Sequence, residues 1–347
     1  MAGEATSGGA WTLIPPRRTA VVAPRCTFGL ALADRALVEA GDAIAAGDPL
    51  AERVTDVTVV ELGPPLSGSF EPGAPVDPAS LVGQVRGHRR LRLIDRATVL
   101  HRAPDGAVRV AVGRLGETTT APIAGTVESV DGRGIVVRAD GDGLAAAFAW
   151  GGPVRGPLIL AVRGPDEELR AGGVDVSVAG AVIVAGARID IEALTRARAL
   201  GVRGVICGGI VGKDLRQLEA SEARQRASLH PMAGFGLAVI DGYGRRPIPG
   251  PTWDALTAAA GREVAIVTDP PMVVLDSALP HRATSGLARV IAGEHLGREG
   301  RVLDLRGSVR TSAAGYQPAA LVRLNGRTPS EPPEQRILAL TDLERLD

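Results

Sequence analysis

The sequence predicts a multidomain chain of the α+β class, in which two β-rich regions flank a small α/β unit. Its 45 glycines and 25 prolines stand among short runs of valine and isoleucine, a pattern typical of short strands separated by turns. Between the β-rich regions, apolar strand-like segments alternate with helical segments, which favours a parallel sheet with crossover helices. A chain of 347 residues is long enough for two or three domains.

The expected domain boundaries follow these changes of pattern. Residues 1–19 begin with small polar side chains and are expected to form a flexible N-terminus. Residues 20–165 then predict a β-domain, and residues 174–268 a small β-α-β-α-β-α domain. Residues 269–347 return to strands and predict a second β-domain.

The central unit carries the clearest helical signals. In RIDIEALTRARALG, apolar residues recur near the helical period, and Gly201 follows as a helix-ending glycine. KDLRQLEASEARQRASL predicts a second, charged helix, and PGPTWDALTAAAG a third that proline begins and glycine ends. Because β-α-β crossovers point successive strands the same way, three strands should end together near Gly186, Gly208 and Asp241.

Composition restricts the classes of function. The 39 basic and 39 acidic residues balance, so no overall field attracts nucleic acid or an anionic membrane. Lys213 is the only lysine, which leaves one candidate for any lysine-dependent chemistry. Cys26 and Cys207 lie far apart without C-x-x-C spacing, which fits a reducing compartment better than a disulfide framework or a zinc site. With no signal-peptide pattern and no long apolar run, we expect a cytoplasmic protein without a membrane span.

The segment ICGGIVGKD, residues 206–214, comes nearest to a catalytic motif. A phosphate-binding loop needs glycine, four residues, Gly-Lys and then serine or threonine. Here Cys207 stands where the first glycine is required, and Asp214 stands in place of the hydroxyl. A glycine-rich turn into a helix, with Asp214 at the favourable end of the helix dipole, accounts for the segment better. A looser anion site at this helix N-terminus is the alternative.

No catalytic constellation is predicted elsewhere. The histidines are scattered, with no pair at metal-ligand spacing, and no serine lies in a G-x-S-x-G turn. The histidines are His88, His101, His230, His281 and His295. We therefore predict no catalytic residue, no metal and no cofactor.

Two segments carry a resemblance to a known fold. AGDAIAAGDPLAE lies within residues 38–52 and APIAGTV within residues 121–138. Together they resemble the two halves of the lipoyl/biotinyl-like barrel-sandwich hybrid, in inverted order. The resemblance implies that the segments pair within one β-domain, with Gly41 and Gly47 in turns. A carrier function is not implied, because the region has no lysine at a hairpin tip. An unrelated β-domain with similar turns is the alternative.

The segment GLARVIAGEHLGREGRVLDL, residues 286–305, resembles the KOW element, an SH3-like strand-turn-strand unit. The resemblance implies a C-terminal SH3-like β-barrel and, since such elements often contact nucleic acid or polymerase, a possible RNA contact. The arginines for such a contact are Arg289, Arg298, Arg301, Arg306 and Arg310. Acidic residues stand among them and no aromatic platform is interleaved, so nucleic-acid binding is the less favoured reading.

A candidate ligand site lies at the C-terminal edge of the central sheet, where ligands collect in open parallel sheets. Arginine side chains there could hold a carboxylate or phosphate, and Asp241 could orient a hydroxyl. The predicted ligand-binding residues are Arg188, Gly208, Gly209, Asp241, Tyr243, Arg245 and Arg246. A polar loop that merely follows a strand is the alternative.

These observations favour a non-enzymatic binding or assembly protein, an adaptor with protein partners. The first alternative is an enzyme or sensor that binds a small anionic metabolite at the edge of the central sheet. The second is an accessory factor that contacts RNA, or the transcription or translation machinery, through the KOW-like segment.

Overall fold

The computed structural model describes residues 13–17, 19–62, 71, 75–76, 96–227, 234–279, 286–311, 315–326 and 331–346. The described chain is mostly β, with several sheets, a half-barrel and three α-helices, which agrees with the expected mixture of α and β. It divides into two compact units. One unit is Ala23–Asp140, and the other combines Met1–Val22 with Gly141–Asp347.

Two short strands stand at the start of the described chain, β1 (Pro16–Arg17) and β2 (Ala20–Val21). Ile14, just before β1, is completely buried in an apolar core that also contains Leu343 near the other end of the chain. The described residues before β2 therefore take part in packing instead of forming a free tail. Residues 1–12 and 18 of the expected flexible N-terminus lie outside the described residues.

The unit Ala23–Asp140 is built from two antiparallel sheets. Its strands are β3 (Arg25–Gly29), β4 (Arg35–Ala36), β5 (Ala43–Ile44), β6 (Pro49–Leu62), β7 (Pro75–Val76), β8 (Arg96–Arg102), β9 (Val108–Thr120), β10 (Gly125–Val130) and β11 (Gly134–Ala139). One sheet has the order β3-β11-β10-β5 and the other the order β4-β6-β9-β8-β7. Alternating apolar residues fill the small cores of this unit.

The two Gly-Asp turns join the distant halves of this unit. The N–H of Gly41 donates to the carbonyl oxygen of Val127, and that of Gly47 to Ala121, each over 2.8 Å. Both glycines have positive φ, 100° and 96°, a conformation that favours glycine. The aspartate after each glycine closes its turn by accepting a hydrogen bond from the backbone N–H three residues earlier. The expected pairing of the two segments is confirmed, while membership of the barrel-sandwich fold stays a prediction.

A large mixed sheet with three helices forms the centre of the other unit. Its further elements are β12 (Gly143–Ala145), β13 (Phe148–Gly151), β14 (Val154–Leu160), β15 (Glu168–Leu169), β16 (Val182–Val184), β17 (Arg188–Ile189), α1 (Ile191–Ala199), β18 (Gly204–Ile210), α2 (Gly212–Ala227), β19 (Gly236–Tyr243), α3 (Gly250–Ala258), β20 (Glu263–Thr268) and β21 (Pro271–Leu275). The main strand order is β13-β19-β18-β16-β14-β20-β21-β12-β2, and β15 and β17 pair beside it. Short 3-10 turns occur at Ala171–Gly173 and Val176–Val178.

Four neighbouring strands of the large sheet, β14, β16, β18 and β19, are parallel, and apolar clusters cover both faces. The three helices lie where the sequence predicts them, and Gly201 follows α1 with φ +79°. The Asp190 carboxylate caps the first turn of α1. The strands β12, β13 and β14, expected within residues 20–165, belong to this sheet instead. No helix in the described ranges is long and apolar enough to cross a membrane.

The C-terminal sheet contains β1 and the strands β22 (Leu287–Val290), β23 (Glu299–Thr311), β24 (Gly315–Leu324), β25 (Glu334–Ala339) and β26 (Leu343–Leu346). Its strand order is β1-β26-β22-β23-β24-β25. The strand-turn-strand predicted for residues 286–305 is present as antiparallel β22 and β23, with Gly293 and Gly297 at positive φ in the reversal. A short 3-10 turn, Leu340–Asp342, leads into β26. The SH3-like barrel remains a prediction.

Candidate functional site

The C-terminal edge of the parallel strands forms where the sequence predicts it. β16, β18 and β19 pair in parallel, with Val184 beside Ile206 on β16 and β18. Past the end of β16, the N–H of Gly208 donates to the carbonyl oxygen of Gly186 over 2.7 Å. Gly209 lies beside Gly242 of β19. The expected convergence of three strand ends is therefore confirmed.

The chain that follows β19 packs onto this edge. A Cβ added to Gly208 would collide with the carbonyl oxygen of Arg246, and one added to Gly209 with that of Gly244. The N–H of Arg246 donates to the carbonyl oxygen of Ala187, over 3.2 Å. The two glycines thus allow a close approach of backbone to backbone, where the sequence reading expected an approach of backbone to ligand.

Two of the predicted anion-binding arginines face carboxylates of their own chain. Nη2 of Arg188 lies 3.1 Å from Oδ2 of Asp214, in the first turn of α2. Nε of Arg245 lies 2.8 Å from Oε1 of Glu168. Asp214 is buried, and its charge is balanced both by Arg188 and by the positive end of the helix dipole. Asp214 therefore has a structural partner at the position where a phosphate loop would carry a hydroxyl.

Arg246 and Tyr243 complete the predicted set at this edge. Nε of Arg246 donates to the carbonyl oxygen of Tyr243 over 3.2 Å, and Nη1 donates to that of Ile291 over 3.4 Å. The Tyr243 ring is largely exposed and lies 5.4 Å, centroid to centroid, from that of Phe148. The structure thus brings these residues to one edge, where each of the three arginines contacts an oxygen of the same chain.

Asp241 belongs to a buried cluster of four charged side chains, together with Arg17, Arg289 and Glu344. Oδ1 of Asp241 lies 3.1 Å from Nη1 of Arg289 and also pairs with Arg17. Oε1 of Glu344 lies 3.2 Å from Arg17 and 3.4 Å from Arg289. Two guanidinium groups and two carboxylates cancel in formal charge, which is the condition under which buried charges are tolerated.

Backbone carbonyl groups extend this four-residue cluster. Nη2 of Arg17 donates to the carbonyl oxygen of Ile240, and Nη2 of Arg289 to that of Pro247, each over 2.6 Å. Arg17 lies on β1 and Arg289 on β22, whereas Ile240 lies on β19. The cluster therefore fastens the C-terminal sheet to the edge of the large sheet, inside one compact unit.

Glu299 makes a second connection, between the C-terminal sheet and the helix α3. Its Oε1 accepts a hydrogen bond from the N–H of Gly250, at the first residue of α3, over 2.6 Å. Burial raises the pKa of Glu299 above its usual value, and the hydrogen bond from Gly250 and the charge of Arg289 offset only part of that effect. The carboxylate thus occupies a helix N-terminus, a position that otherwise attracts anions.

The arginines predicted for nucleic-acid contact fall into separate environments. Arg289 is buried in the four-residue cluster, and Arg298 pairs with Glu334. Arg306 lies 3.5 Å from Asp304, with both side chains about half exposed. Arg301 and Arg310 are exposed, with no ion pair among the described residues.

Strand register adds neighbours that sequence reasoning missed. Arg301 of β23 lies directly opposite Arg323 of β24, and Arg310 lies opposite Tyr316, which is 75% exposed. The sequence shows no aromatic residue interleaved with the arginines, yet the hairpin places Tyr316 beside one of them. The register of β23 and β24 is the signal that would have found these pairs.

Metal ligands do not cluster in the part of the chain that the structure describes: no group of three or more histidine, cysteine, aspartate or glutamate side chains could hold an ion there.

A scan against models of known protein families finds no match. A search of curated proteins finds no significant match either.

Proposed function

We propose that the protein is a non-enzymatic binding or assembly protein, an adaptor that acts through its surfaces. The observation that supports this most is the packing of backbone onto the C-terminal edge of the parallel strands. Open α/β sheets bind ligands in the crevice at that edge. Here Gly208 and Gly209 are in close contact with the backbone of residues 244–248, and Arg289 of the C-terminal sheet donates to Pro247.

The polar groups at the same edge support this proposal over a metabolite site. A small anion would have to displace Asp214 from Arg188 or Glu168 from Arg245, and each pair lies within hydrogen-bond distance. Such a displacement exchanges one charge-assisted contact for another and leaves a carboxylate without its partner. The edge residues are thus better suited to holding the sheets together than to exchanging a ligand.

The proposed setting is the cytoplasm. Neither cysteine forms a disulfide and both are buried, which suits a reducing compartment. The tagged native protein, cross-linked and purified, should bring down a partner in near-stoichiometric amount, identified by mass spectrometry. A metabolite screen by thermal shift tests the rival. A stabilising ligand whose effect is lost in Arg245→Ala, together with no stoichiometric partner, would replace the adaptor by an enzyme or sensor.

One pair of register partners favours nucleic-acid binding as a second candidate function. Arg310 and Tyr316 face each other across β23 and β24, a cation beside an exposed ring on which a base could stack. Gel-shift assays with single-stranded RNA at low salt test this candidate. Binding should weaken in Arg310→Ala and steeply with ionic strength. No shift with any oligonucleotide would remove it.

A further inference from the structure

We infer that the outer face of the C-terminal sheet docks an extended acidic segment of a partner protein. The inference rests on the proposed adaptor function and specifies the chemistry of the partner. The outer face is defined here as the side of β23, β24 and β25 that carries Arg301, Arg323 and Ile337.

A row of three hydrogen-bond donors crosses this outer face. Arg301 of β23 is the register partner of Arg323 of β24, which is in turn the register partner of Gln335 of β25, and all three are exposed. Like charges directly opposite each other on neighbouring strands repel. No carboxylate among the described residues pairs with either arginine, so both guanidinium groups keep free donors. Guanidinium groups bind carboxylates through two parallel hydrogen bonds.

Aliphatic side chains lie next to the donor row, in a row whose β23 member, Asp304, lies 3.5 Å from Arg306. Leu321 of β24 is the register partner of Ile337 of β25, and the Ile337 side chain is 51% exposed. Leu303, 44% exposed, stands at the irregularity between Val302 and Asp304. A partner that covers this face therefore needs apolar side chains beside its acidic ones.

The spacing of the two rows sets the pattern of the partner. Arg323 and Leu321 are two residues apart on one face of β24, so an extended segment that lies along this face should carry an acidic residue and an aliphatic residue at the same spacing.

The outer face is better matched to an acidic peptide than to a nucleic acid. Side chains alternate along β24, which puts Tyr316 on the opposite face from Leu321 and Arg323. Among the described residues of β23, β24 and β25, those on the outer face include no aromatic ring on which a base could stack. Aliphatic side chains of a peptide can instead cover Leu321 and Ile337.

A peptide assay on the full chain tests the inference. The probe is a fluorescein-labelled peptide of repeating Glu-Thr-Leu-Thr, which alternates acidic and aliphatic side chains on one face of a strand. We expect saturable binding by fluorescence anisotropy at low salt, about tenfold weaker in the double variant Arg301→Ala, Arg323→Ala. Ile337→Asp should weaken binding as well. The matched control is Arg102→Ala, Arg114→Ala, two exposed arginines of the other unit, which should bind as the unaltered protein does.

Three results would overturn the inference. The first is no binding of the acidic peptide, and the second is equally tight binding of a peptide with glutamine in place of glutamate. The third is an equal loss of affinity for the acidic peptide in the control variant. Tighter binding of single-stranded RNA through the same two arginines would assign the face to nucleic acid. The proposed function fails differently: a cross-linked partner that binds elsewhere preserves the adaptor and rejects this docking face.

Discussion

Nη1 of Arg289 lies 3.1 Å from Oδ1 of Asp241, and the two side chains are only 1% and 7% exposed. Asp241 lies near the end of a strand of the large sheet, and Arg289 belongs to the C-terminal sheet. A residue at the ligand-binding position of a parallel sheet is thus used to fasten a second sheet. Several consequences of this arrangement and of its surroundings can be measured.

Removing one member of this buried pair should destabilise the protein strongly. Arg289→Ala leaves Asp241 and Glu344 with a single arginine, and we expect the free energy of unfolding to fall by about 3–5 kcal/mol. Denaturant unfolding measures this loss. Arg25→Ala, in a pair whose arginine is 73% exposed, is the control and should cost about 0–1 kcal/mol. The double variant Arg289→Met, Asp241→Leu keeps the charges balanced and should recover much of the loss. A loss in Arg289→Ala no larger than in the control would contradict a structural role for the cluster.

Gly208→Ala should disturb the packing at the edge of the large sheet. The new Cβ would meet the carbonyl oxygen of Arg246, a backbone atom that cannot rotate away. We expect a loss of about 1–3 kcal/mol in the free energy of unfolding. Gly172→Ala is the matched control, because nothing lies near its added Cβ. Equal stability of the two variants would show that residues 244–248 do not rest on Gly208.

Glu299→Gln should stabilise the protein increasingly as pH rises. The folded state raises the pKa of Glu299 mainly through burial, so the folded state binds its proton more tightly than the unfolded state does. The unaltered protein therefore loses stability as pH rises from the unfolded value, near 4.5, through the raised folded value. Glutamine keeps an oxygen that can accept from Gly250 and does not ionise. Melting temperatures of both proteins at several pH values measure the difference. A difference that stays constant, or shrinks with rising pH, would oppose this account.

The cysteines should resist thiol reagents in the native state. Burial raises the pKa of Cys207 to about 12, and Cys26 is equally inaccessible to solvent. We expect no reaction with Ellman's reagent at neutral pH until denaturant exposes both thiols. The time course of colour in mild denaturant should follow unfolding. Rapid modification of one thiol in the native protein would mean that its surroundings open readily.

Local pattern determined a large part of this structure. The helix α1 and the glycine that ends it, the Gly-Asp turns and the parallel strand ends could all be predicted, because each depends on a few neighbouring residues. Gly201 has positive φ because a helix ends there, and Gly41 and Gly47 have positive φ because the chain turns there. The pairing of residues 38–52 with residues 121–138 followed from a resemblance, which carries long-range information that local propensity lacks.

The tertiary structure alone decided which sheet each strand joins and which charges meet. The apolar patterns of β12, β13 and β14 are similar to those of the strands before them. Such a pattern predicts a strand but does not specify which strand it pairs with. The four-residue cluster draws its members from four strands that lie far apart in the sequence, so no sequence spacing relates them. These members are Arg17, Asp241, Arg289 and Glu344. Arg188 and Arg245 looked like anion-binding groups because the sequence does not show that Asp214 and Glu168 would lie beside them. Ion pairing acts through space, and the fold determines which charges come within its range.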